Sequence, residues 1–360
     1  MAPRKARYHE AVTLPNDMGE GWSDEDKAFM QQALRVAERG RGRVSPNPLV
    51  GCVLVKDGEV IAEGWHDHLG GLHAEQMAIH DAEERGQSAN GSTAYVTLEP
   101  CNHFGRTPPC TEALMWAGVS KVFIAHEDPN PTVRGKGGEV LLSNGIPTSF
   151  GLLRDEAGEQ MRGFLHWCKH RSPLITVKMA IDRNGSVDDR SEDAQRFTSP
   201  GCLEKVHELR RDCDAVMVGV ETVVRDDPAL TVRLVPCEKQ PLRLVLDPNG
   251  RMPPKANLLN DGHATRVVQS DFVSLERLFN ELGDLNIQRL LIEGGPTTVA
   301  NCLEAMVVDE FLLVHADTAH VEPVPSGISP EVLKQAGLHL VDEFVWGEER
   351  VERFLRLTER

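Results

Sequence analysis

The 360-residue sequence has few aromatic side chains and a shortage of basic ones. Aromatic residues make up 5% of the chain, with 2 tyrosines, and 39 lysines and arginines are set against 55 aspartates and glutamates, for a net charge of -16. An acidic chain repels nucleic-acid phosphate, and few aromatic rings are available to stack on bases. A nucleic-acid partner is therefore disfavoured, and a phosphorylated substrate would need a local basic pocket.

Long apolar runs are also missing, since none approaches the roughly 20 residues that span a bilayer. The basic residues Arg4, Lys5 and Arg7 are not followed by an apolar core, so no signal peptide is predicted. We expect a cytoplasmic protein without membrane association. Eight cysteines in a chain of this size do not suggest a disulfide framework, and in a reducing compartment their thiolates are free to bind metal.

The length suits two domains, and strand patterns alternate with helix patterns in both halves, which predicts two α/β units. We expect an N-terminal extension over 1–22, a first domain over 23–150, a mostly helical connecting segment over 151–173 and a second domain over 174–360. In the first domain, Asp57-Gly58 between two apolar runs is a strong hairpin signal. The first two strands are therefore predicted to be antiparallel and the later ones parallel.

One histidine and two cysteines in the first half have the pattern of a catalytic zinc site. His73 opens a predicted helix, Cys101 follows a predicted strand, and Cys110 begins the next helix. One imidazole and two thiolates leave the fourth tetrahedral position of zinc open for water. Glu75, two residues after the histidine, is the candidate general acid and base that carries a proton from this water to a departing amino group.

The spacing of the two cysteines departs from the known deaminase signature, in which H-x-E is followed by P-C-x-x-C. Here eight residues, 102–109, separate them, and this longer loop carries His103 and Arg106, which suit a heterocycle and an attached phosphate. The alternative is a structural zinc site, which needs a fourth ligand; His66, His68 or Cys52 could supply one in principle.

Over nearly the whole chain from Ser23, the sequence resembles a known family, the bifunctional pyrimidine deaminase/reductase of riboflavin biosynthesis. The first-half motifs are Ser45-Pro46-Asn47-Pro48-Leu49-Val50-Gly51-Cys52-Val53, His73-Ala74-Glu75, Leu98-Glu99-Pro100-Cys101, Gly105-Arg106-Thr107-Pro108-Pro109-Cys110 and Asp128-Pro129-Asn130-Pro131. The second-half motifs are Asp226-Asp227-Pro228-Ala229-Leu230-Thr231-Val232-Arg233 and Glu293-Gly294-Gly295-Pro296-Thr297.

The resemblance implies a cytidine-deaminase-like three-layer αβα domain followed by a dihydrofolate-reductase-like α/β domain. It also implies that the first domain deaminates a 2,5-diamino-6-(phosphoribosylamino)pyrimidinone made from GTP, and that the second reduces the ribose to a ribityl chain with NADPH. Zinc and NADPH are the implied cofactors, a small phosphorylated pyrimidine is the implied substrate, and a homo-oligomer is expected.

Residue roles follow from the resemblance, motif by motif. Zinc would be bound by His73, Cys101 and Cys110, with Glu75 as the proton shuttle. The deaminase substrate would be contacted by Asn47, His66, Ala74, His103, Arg106 and Asn130. The reductase substrate would be contacted by Arg210, Leu230, Arg233 and Glu293, and the two arginines would hold its phosphate. NADPH would be bordered by Ala180, Thr222, Asp226, Gly294 and Gly295.

The second half departs from the family pattern in several places. Residues 182–185 and 194–198 replace a Ser-Leu-Asp-Gly turn and a Ser-x-Trp-Ile-Thr segment, Pro248 replaces a serine, and 315–326 bear little likeness to the expected segment. An acidic cluster in this region would oppose a phosphorylated dinucleotide; it comprises Asp182, Asp188, Asp189, Glu192 and Asp193. We therefore hypothesise that reductase activity is weakened, altered or lost while the fold is kept.

Two further functions remain open at this stage. One is a related deaminase, recruited to another pyrimidine-derived product, with a non-functional reductase domain. The other is a non-catalytic scaffold, against which Glu75 argues, because a binding module does not need a proton shuttle.

Overall fold

The computed structural model describes residues 21–103, 108–130, 136–191, 197–269 and 274–357. The chain divides into two compact units. The first comprises Leu49–Gln160 together with the described residues up to Gly40, and the second comprises Arg41–Pro48 and the described residues from Met161 onward. No helix in these described ranges combines the length and the hydropathy that crossing a bilayer requires.

The first unit contains one mixed sheet of five strands with helices packed on it. Its helices are α1 (Asp24–Ala37), α2 (Ala74–Glu84), α3 (Cys110–Trp116), α4 (Lys136–Ser143) and α5 (Arg154–Gln160). Its strands are β1 (Gly51–Lys56), β2 (Glu59–Trp65), β3 (Thr93–Leu98), β4 (Lys121–His126) and β5 (Thr148–Phe150), in the order β2-β1-β3-β4-β5. Strand β1 is antiparallel to β2 and β3, whereas β3, β4 and β5 are parallel. The predicted antiparallel start and parallel continuation are confirmed.

Local sequence explains the turn and the close packing in this unit. Asp57 and Gly58 have φ angles of 53° and 79°, as a two-residue hairpin turn between β1 and β2 requires. On β2, a Cβ atom at Gly64 would lie 2.1 Å from the carbonyl oxygen of Ala74. Only glycine lets the first turn of α2 lie this close to the strand, and that turn carries the predicted catalytic residues.

The second unit contains an eight-stranded sheet and a two-stranded ribbon. Its helices are α6 (Arg162–His170), α7 (Pro200–Arg211), α8 (Val220–Asp226), α9 (Asn257–Asn260), α10 (Leu275–Asp284), α11 (Pro296–Glu304) and α12 (Pro330–Gln335). Its strands are β6 (Leu174–Ile181), β7 (Ser186–Asp189), β8 (Ala215–Gly219), β9 (Leu242–Leu246), β10 (Thr265–Val268), β11 (Arg289–Ile292), β12 (Glu310–His315), β13 (Pro323–Pro325), β14 (Leu338–Trp346) and β15 (Glu349–Arg356).

The large sheet has the order β10-β9-β8-β11-β6-β12-β15-β14, and the first six strands of this order run parallel. The hairpin β14–β15 joins the edge antiparallel. A second α/β unit is therefore confirmed, although the sequence analysis did not predict the ribbon β7–β13, the hairpin or α12. The carboxyl ends of β8, β11 and β6 lie side by side, as ligand-binding edges of parallel sheets do.

The predicted connecting segment contains two helices, α5 and α6, which fall in different units. Helix α6 is anchored in the second unit by long-range polar contacts. Arg162 forms a 3.1 Å ion pair with Glu310 of β12, and the Trp167 indole donates to the Gly283 carbonyl oxygen at 2.9 Å. These partners are more than 100 residues distant in sequence, so no local pattern could assign α6 to the second unit.

The short segment Arg41–Pro48 also belongs to the second unit. The Ser45 hydroxyl donates to the Asp214 carboxylate, which in turn accepts the backbone amides of Gln288 and Arg289 at 2.8 and 3.0 Å. The Gln288 side chain donates to the Pro46 carbonyl oxygen at 2.6 Å. Side-chain contacts to α7–β8 and to the start of β11 therefore hold this segment, which includes Asn47.

Candidate functional site

The three predicted metal ligands lie together. The ligand atoms of His73, Cys101 and Cys110 are all within 4.8 Å of one another, and the cluster is partly to fully buried. The Nδ1 atom of His73 is 3.5 Å from Sγ of Cys101 and 3.3 Å from Sγ of Cys110. Two cysteines that lie 28 and 37 positions after His73 in the sequence therefore present their sulfurs to the same point as its ring nitrogen.

Two helices begin at this point. His73 is the N-cap residue of α2, Cys110 is the first residue of α3, and Cys101 follows β3 across Glu99 and Pro100. The backbone amide of Cys110 points at the Cys101 sulfur, 3.5 Å away. Helix N-termini carry partial positive charge, which stabilises thiolates. Hydrogen bonds from Cys110 and His73 lower the pKa of Cys101 to about 4, so the arrangement favours a thiolate at Cys101. The pKa of Cys110 is raised by its hydrogen bond to Cys101 and by burial, so the two sulfurs share one proton.

The cluster fits zinc. Bonds of about 2.0 Å to nitrogen and about 2.3 Å to sulfur in tetrahedral geometry would separate the two kinds of ligand atom by about 3.5 Å. The nitrogen–sulfur distances of 3.5 and 3.3 Å are close to this separation. One imidazole and two thiolates are also the donor set of a catalytic zinc site that keeps one position for substrate or water.

Glu75 lies in the first turn of α2 with 3% of its surface exposed. Its carboxylate is close enough to Cys101, His73 and Cys110 to interact with each. Burial raises the pKa of Glu75 above its ordinary value. Glu75 is not one of the residues whose ligand atoms meet in the cluster. A buried carboxyl group beside the metal ligands, and not itself a ligand, suits a group that both accepts and donates a proton.

Within the described residues, none of the three candidate fourth ligands joins the cluster. The Nδ1 atom of His66 contacts the Leu72 carbonyl oxygen at 2.9 Å, and its ring lies against His73 with 5.5 Å between ring centroids. His68 is exposed and pairs with Asp67. Cys52 is buried within β1, and its sulfur is not among the ligand atoms that meet in the cluster. This argues against a closed structural site.

Only some of the residues implied to contact the deaminase substrate lie among the described residues of the first unit. Ala74 is buried beside His73 at the start of α2, and His103 is exposed on the loop that follows Cys101. The backbone amide of Asn130 donates to the Asp128 carboxylate at 2.8 Å. Asn47 lies in the segment that groups with the second unit, and Arg106 lies outside the described residues.

The sequence analysis gave Glu99 no role, although it lies within a quoted motif. Glu99 is 3% exposed, and its two carboxylate oxygens accept the backbone amides of Gly138 at 3.0 Å and Asp128 at 3.2 Å. The only available signal was a carboxylate two residues before a metal ligand. That pattern does not distinguish a buried anchor from a solvated surface group.

In the second unit, Arg210 and Glu293 form a two-point ion pair in which each side chain is 11% exposed. The Nε and Nη2 atoms of Arg210 donate to Glu293 at 2.5 and 2.9 Å, and Nη1 donates to the Thr231 carbonyl oxygen at 3.3 Å. Burial would raise the pKa of Glu293, but Arg210 outweighs it and Lys178 adds to the effect, so the pKa is lowered. The carboxylate is therefore charged, and most of the Arg210 donors are already engaged.

Arg233 is exposed, in contrast to Arg210. Its guanidinium donates to the Thr231 hydroxyl at 3.0 Å, and its backbone amide donates to Nδ1 of the buried His207 at 2.9 Å. Leu230 in the same segment is buried and has a φ of 52°. Of the two arginines implied to hold a phosphate, Arg233 has the more accessible side chain.

The residues implied to border the cofactor gather at the carboxyl edge of the sheet. Ala180 lies near the end of β6, Thr222 in the first turn after β8, and Gly294-Gly295 directly after β11. Cβ atoms at Gly294 and Gly295 would lie 3.9 and 3.7 Å from the Thr222 hydroxyl oxygen. Both glycines have positive φ angles, 106° and 64°, a backbone conformation that favours glycine. Asp226 is exposed at the end of α8.

The described acidic residues of the altered region are engaged in local contacts. Asp182 accepts the amides of Asn184, Ser186 and His320 at 2.8–2.9 Å. Asp189 accepts three amides at 2.8–3.0 Å, and these bonds hold its pKa below the ordinary range. Asp188 pairs with Arg225 at 2.9 Å. The carboxylates therefore hold the ribbon β7–β13 together, and part of their charge is balanced there. Glu192 and Asp193 lie outside the described residues.

Family models match both halves of the chain. The cytidine and deoxycytidylate deaminase zinc-binding region matches residues 23–126, and the RibD C-terminal domain matches residues 173–319. The first match spans His73, Cys101 and Cys110. The second spans the implied reductase residues, from Ala180 to Gly295.

Relatives align with most of the chain. The riboflavin biosynthesis protein RibD of Aquifex aeolicus is 39% identical over 308 residues, covering 80% of this chain and 86% of the relative, and RibD of Escherichia coli is 37% identical over 321 residues, covering 80% and 87%. Among solved structures, Acinetobacter baumannii RibD superposes with a TM-score of 0.83 at 34% identity, covering 93% of this chain and 99% of the other.

A structure from Thermotoga maritima, a diaminohydroxyphosphoribosylaminopyrimidine deaminase/5-amino-6-(5-phosphoribosylamino)uracil reductase, is similar over 92% of this chain and 99% of its own length. Its TM-score is 0.84 and its sequence identity is 32%. These similarities extend through both units, so the two-domain architecture that the sequence motifs implied is confirmed.

Proposed function

Because the chain belongs to the RibD family of riboflavin biosynthesis proteins, we propose that it carries out two successive steps of that pathway. The first unit hydrolyses an amino group of 2,5-diamino-6-(5-phosphoribosylamino)pyrimidin-4(3H)-one. The second unit reduces the ribosyl group of the product with NADPH. The observation that carries the first assignment is the cluster of His73, Cys101 and Cys110 with buried Glu75 beside it.

In the deaminase unit, His73, Cys101 and Cys110 would hold the zinc ion. When bound, zinc lowers the pKa of water to about 7 and so supplies a strong nucleophile at neutral pH. The Glu75 carboxylate accepts a proton from the attacking water and delivers it to the leaving nitrogen. The carbon–nitrogen bond breaks, ammonia departs and a carbonyl replaces the amine. The raised pKa of Glu75 makes the return of this proton easier.

Contacts with the deaminase substrate would orient the ring and its phosphate. Ala74 would contribute its backbone at the start of α2, and His66 would support the pocket through its bond to the Leu72 carbonyl. Within the first unit, His103 would contact the pyrimidine, and Arg106 and Asn130 the ribose phosphate. Charge-assisted hydrogen bonds to phosphate are short and strong, which suits an acidic protein that otherwise repels anions.

In the reductase unit, the exposed Arg233 would bind the substrate phosphate. Arg210 would hold Glu293 in a fixed, charged state at the substrate, and the buried Leu230 would shape the same pocket. NADPH supplies the hydride when bound. Thr222 and the turn Gly294-Gly295 offer it a close backbone approach at the carboxyl edge of the sheet, with Ala180 and Asp226 beside them.

The hypothesis of a weakened reductase rests on the acidic residues of the second unit. Loss of reduction would follow if the acidic residues repelled the cofactor. The engagement of Asp182 and Asp189 by backbone amides, and of Asp188 by Arg225, favours an active reductase. We therefore place a bifunctional enzyme first and a deaminase with an inactive reductase unit second.

The test is a coupled assay of ammonia release and NADPH oxidation on the GTP-derived pyrimidine. Wild-type protein should catalyse both, and Glu75→Gln should lose at least about 100-fold in deamination, the usual contribution of a positioned acid–base group. Glu75→Gln should still oxidise NADPH when supplied with the deaminated intermediate. Glu83→Gln, which changes an exposed carboxylate on the same helix, is the matched control and should retain both activities.

Three other results would contradict the proposal, each in a different part. Zinc binding without ammonia release from this substrate, but with release from another aminopyrimidine, would favour a deaminase of a different pathway. Full activity in Glu75→Gln would refute the proton-transfer role. Absence of turnover with any aminopyrimidine would favour a non-catalytic scaffold.

A further inference from the structure

Glu99 lies at a junction of three chain segments in the first unit. Its backbone amide donates to the His126 carbonyl oxygen at 2.9 Å, which pairs the end of β3 with the end of β4. Its side chain accepts the Gly138 amide at 3.0 Å and the Asp128 amide at 3.2 Å. One buried residue therefore joins the strand that leads to Cys101, the loop after β4 and the first turn of α4.

Glu99 caps the N-terminus of α4, although it lies outside that helix. Gly138 is the third residue of α4, so its amide has no acceptor within the helix, and a carboxylate at a helix N-terminus also interacts favourably with the helix dipole. Glycine at this turn permits the approach. A Cβ at Gly137 would lie 1.9 Å from the Pro100 carbonyl oxygen, and one at Gly138 would lie 2.3 Å from the Phe150 ring.

Asp128, which Glu99 contacts, forms a further hydrogen bond to Asn130, a residue implied in substrate binding. Glu99 fixes the backbone amide of Asp128, and the Asp128 carboxylate accepts the backbone amide of Asn130 at 2.8 Å. Asp128 is itself 8% exposed. The chain of bonds Glu99–Asp128–Asn130 therefore connects the loop that would hold the ribose phosphate to the residue two positions before a metal ligand.

We propose that Glu99 is a positioning residue of the deaminase: it sets the place of the Cys101 ligand and of Asn130 together. The inference rests on the proposed function only where it concerns the substrate. Groups that orient metal ligands from one contact further out commonly change metal affinity or activity by 10- to 100-fold when removed. A carboxylate is required because only it accepts on both oxygens at once; an amide would present a donor to one of the two backbone amides.

The experiment compares Glu99→Gln with Asp81→Asn in the full-length protein. Asp81 also accepts a backbone amide with a carboxylate, that of Glu63 at 2.8 Å, but lies two turns further along α2 from His73. Each protein is loaded with Co²⁺ in place of zinc, its visible absorption spectrum is recorded, and its zinc affinity is measured by competition with a chelator. Unfolding temperatures, KM and kcat for the aminopyrimidine are measured on the zinc forms.

Both variants should lose stability, but only Glu99→Gln should shift the cobalt spectrum, weaken zinc binding by about 10-fold or more and raise KM as well as lower kcat. An unchanged cobalt spectrum and zinc affinity in Glu99→Gln, or equal changes in Asp81→Asn, would overturn the proposal. If Glu99→Gln does not fold, Glu99→Asp is measured instead, because it keeps the charge on a side chain that is shorter by one methylene. Its cobalt spectrum, zinc affinity, KM and kcat should change in the same directions by smaller amounts. If the wild type binds zinc but does not deaminate, the proposed function fails while the metal measurements still decide the role of Glu99.

Discussion

Individual side chains in both units have roles that depend on what surrounds them. The family resemblance implies that both Arg210 and Arg233 bind the phosphate, but the two differ in burial. Arg210 is 9% exposed and bonded to Glu293, whereas Arg233 is exposed. A guanidinium already held in a two-point bond would have to leave a buried carboxylate uncompensated in order to bind an anion, which is costly. We therefore expect the phosphate contact to rest mainly on Arg233.

Replacing Arg233 by alanine should raise the reductase KM for the phosphorylated intermediate by about 10- to 100-fold, the value of one charge-assisted hydrogen bond, without changing the KM for NADPH. Steady-state NADPH oxidation at varied concentrations of each substrate measures both constants. Arg251→Ala is the control, because Arg251 is another exposed arginine of this unit that is not implied to contact the substrate. An unchanged KM for the intermediate in Arg233→Ala would assign the phosphate to another cation.

Elements are held in place by buried polar networks as well as by apolar packing. Glu310 of β12 is 5% exposed and contacts Arg162 of α6 at 3.1 Å, Arg353 of β15 at 2.6 Å and Thr176 of β6 at 2.9 Å. Burial alone would raise the pKa of Glu310, but the two arginines outweigh it and lower the pKa to about 2. Four elements of the second unit thus share one charged carboxylate.

The stability supplied by Glu310 should depend on pH. The carboxyl has an ordinary pKa of about 4.3 when unfolded and a lower one when folded, so its contribution is complete above about pH 5 and is lost as the pH falls toward 2. Glu310→Gln should lower the free energy of unfolding by about 3 kcal/mol at pH 7, and the gap to the wild type should narrow below pH 4. Urea unfolding at pH 7 and pH 3 measures this.

The exposed carboxylate of Glu276 on α10 provides the comparison for this measurement. Glu276→Gln should change the free energy of unfolding by less than about 0.5 kcal/mol at either pH. A gap between Glu310→Gln and wild type that stays constant from pH 7 to pH 3 would mean that the network does not depend on the charge of Glu310.

The whole molecule combines two units, each with its own apolar core. The metal cluster is built only from residues of the first unit, and the described residues of the implied NADPH site lie only in the second. A ligand that binds only the folded state of one unit stabilises that unit by mass action. Zinc should therefore stabilise the first unit, and NADPH the second.

Removing zinc with a chelator should abolish ammonia release and lower the unfolding temperature of the first unit, while NADPH oxidation with the deaminated intermediate continues. Calorimetry with and without chelator, repeated with added NADPH, separates the two transitions. His73→Ala should unfold at the same temperature with and without chelator. Loss of both activities on chelation would show that NADPH oxidation in the second unit also depends on zinc.

Short-range patterns determined much of this protein from the sequence alone. The Asp57-Gly58 turn could be predicted because the hairpin requires two positive φ angles that aspartate and glycine tolerate. The metal cluster could be predicted because imidazole and thiolate ligands occurred where strands give way to helices. Strands β2 and β3 run in the same direction on either side of β1, so the segments that follow them start at one edge of the sheet.

Only the tertiary structure decided the roles that depend on contacts between residues distant in sequence. It grouped α6 and the segment carrying Asn47 with the second unit, paired Arg210 with Glu293 across 83 residues, and placed Glu99 against Gly138 and Asp128. A buried carboxylate and an exposed one look the same in a sequence. The burial and the partners that set their charge and function exist only once the chain has folded.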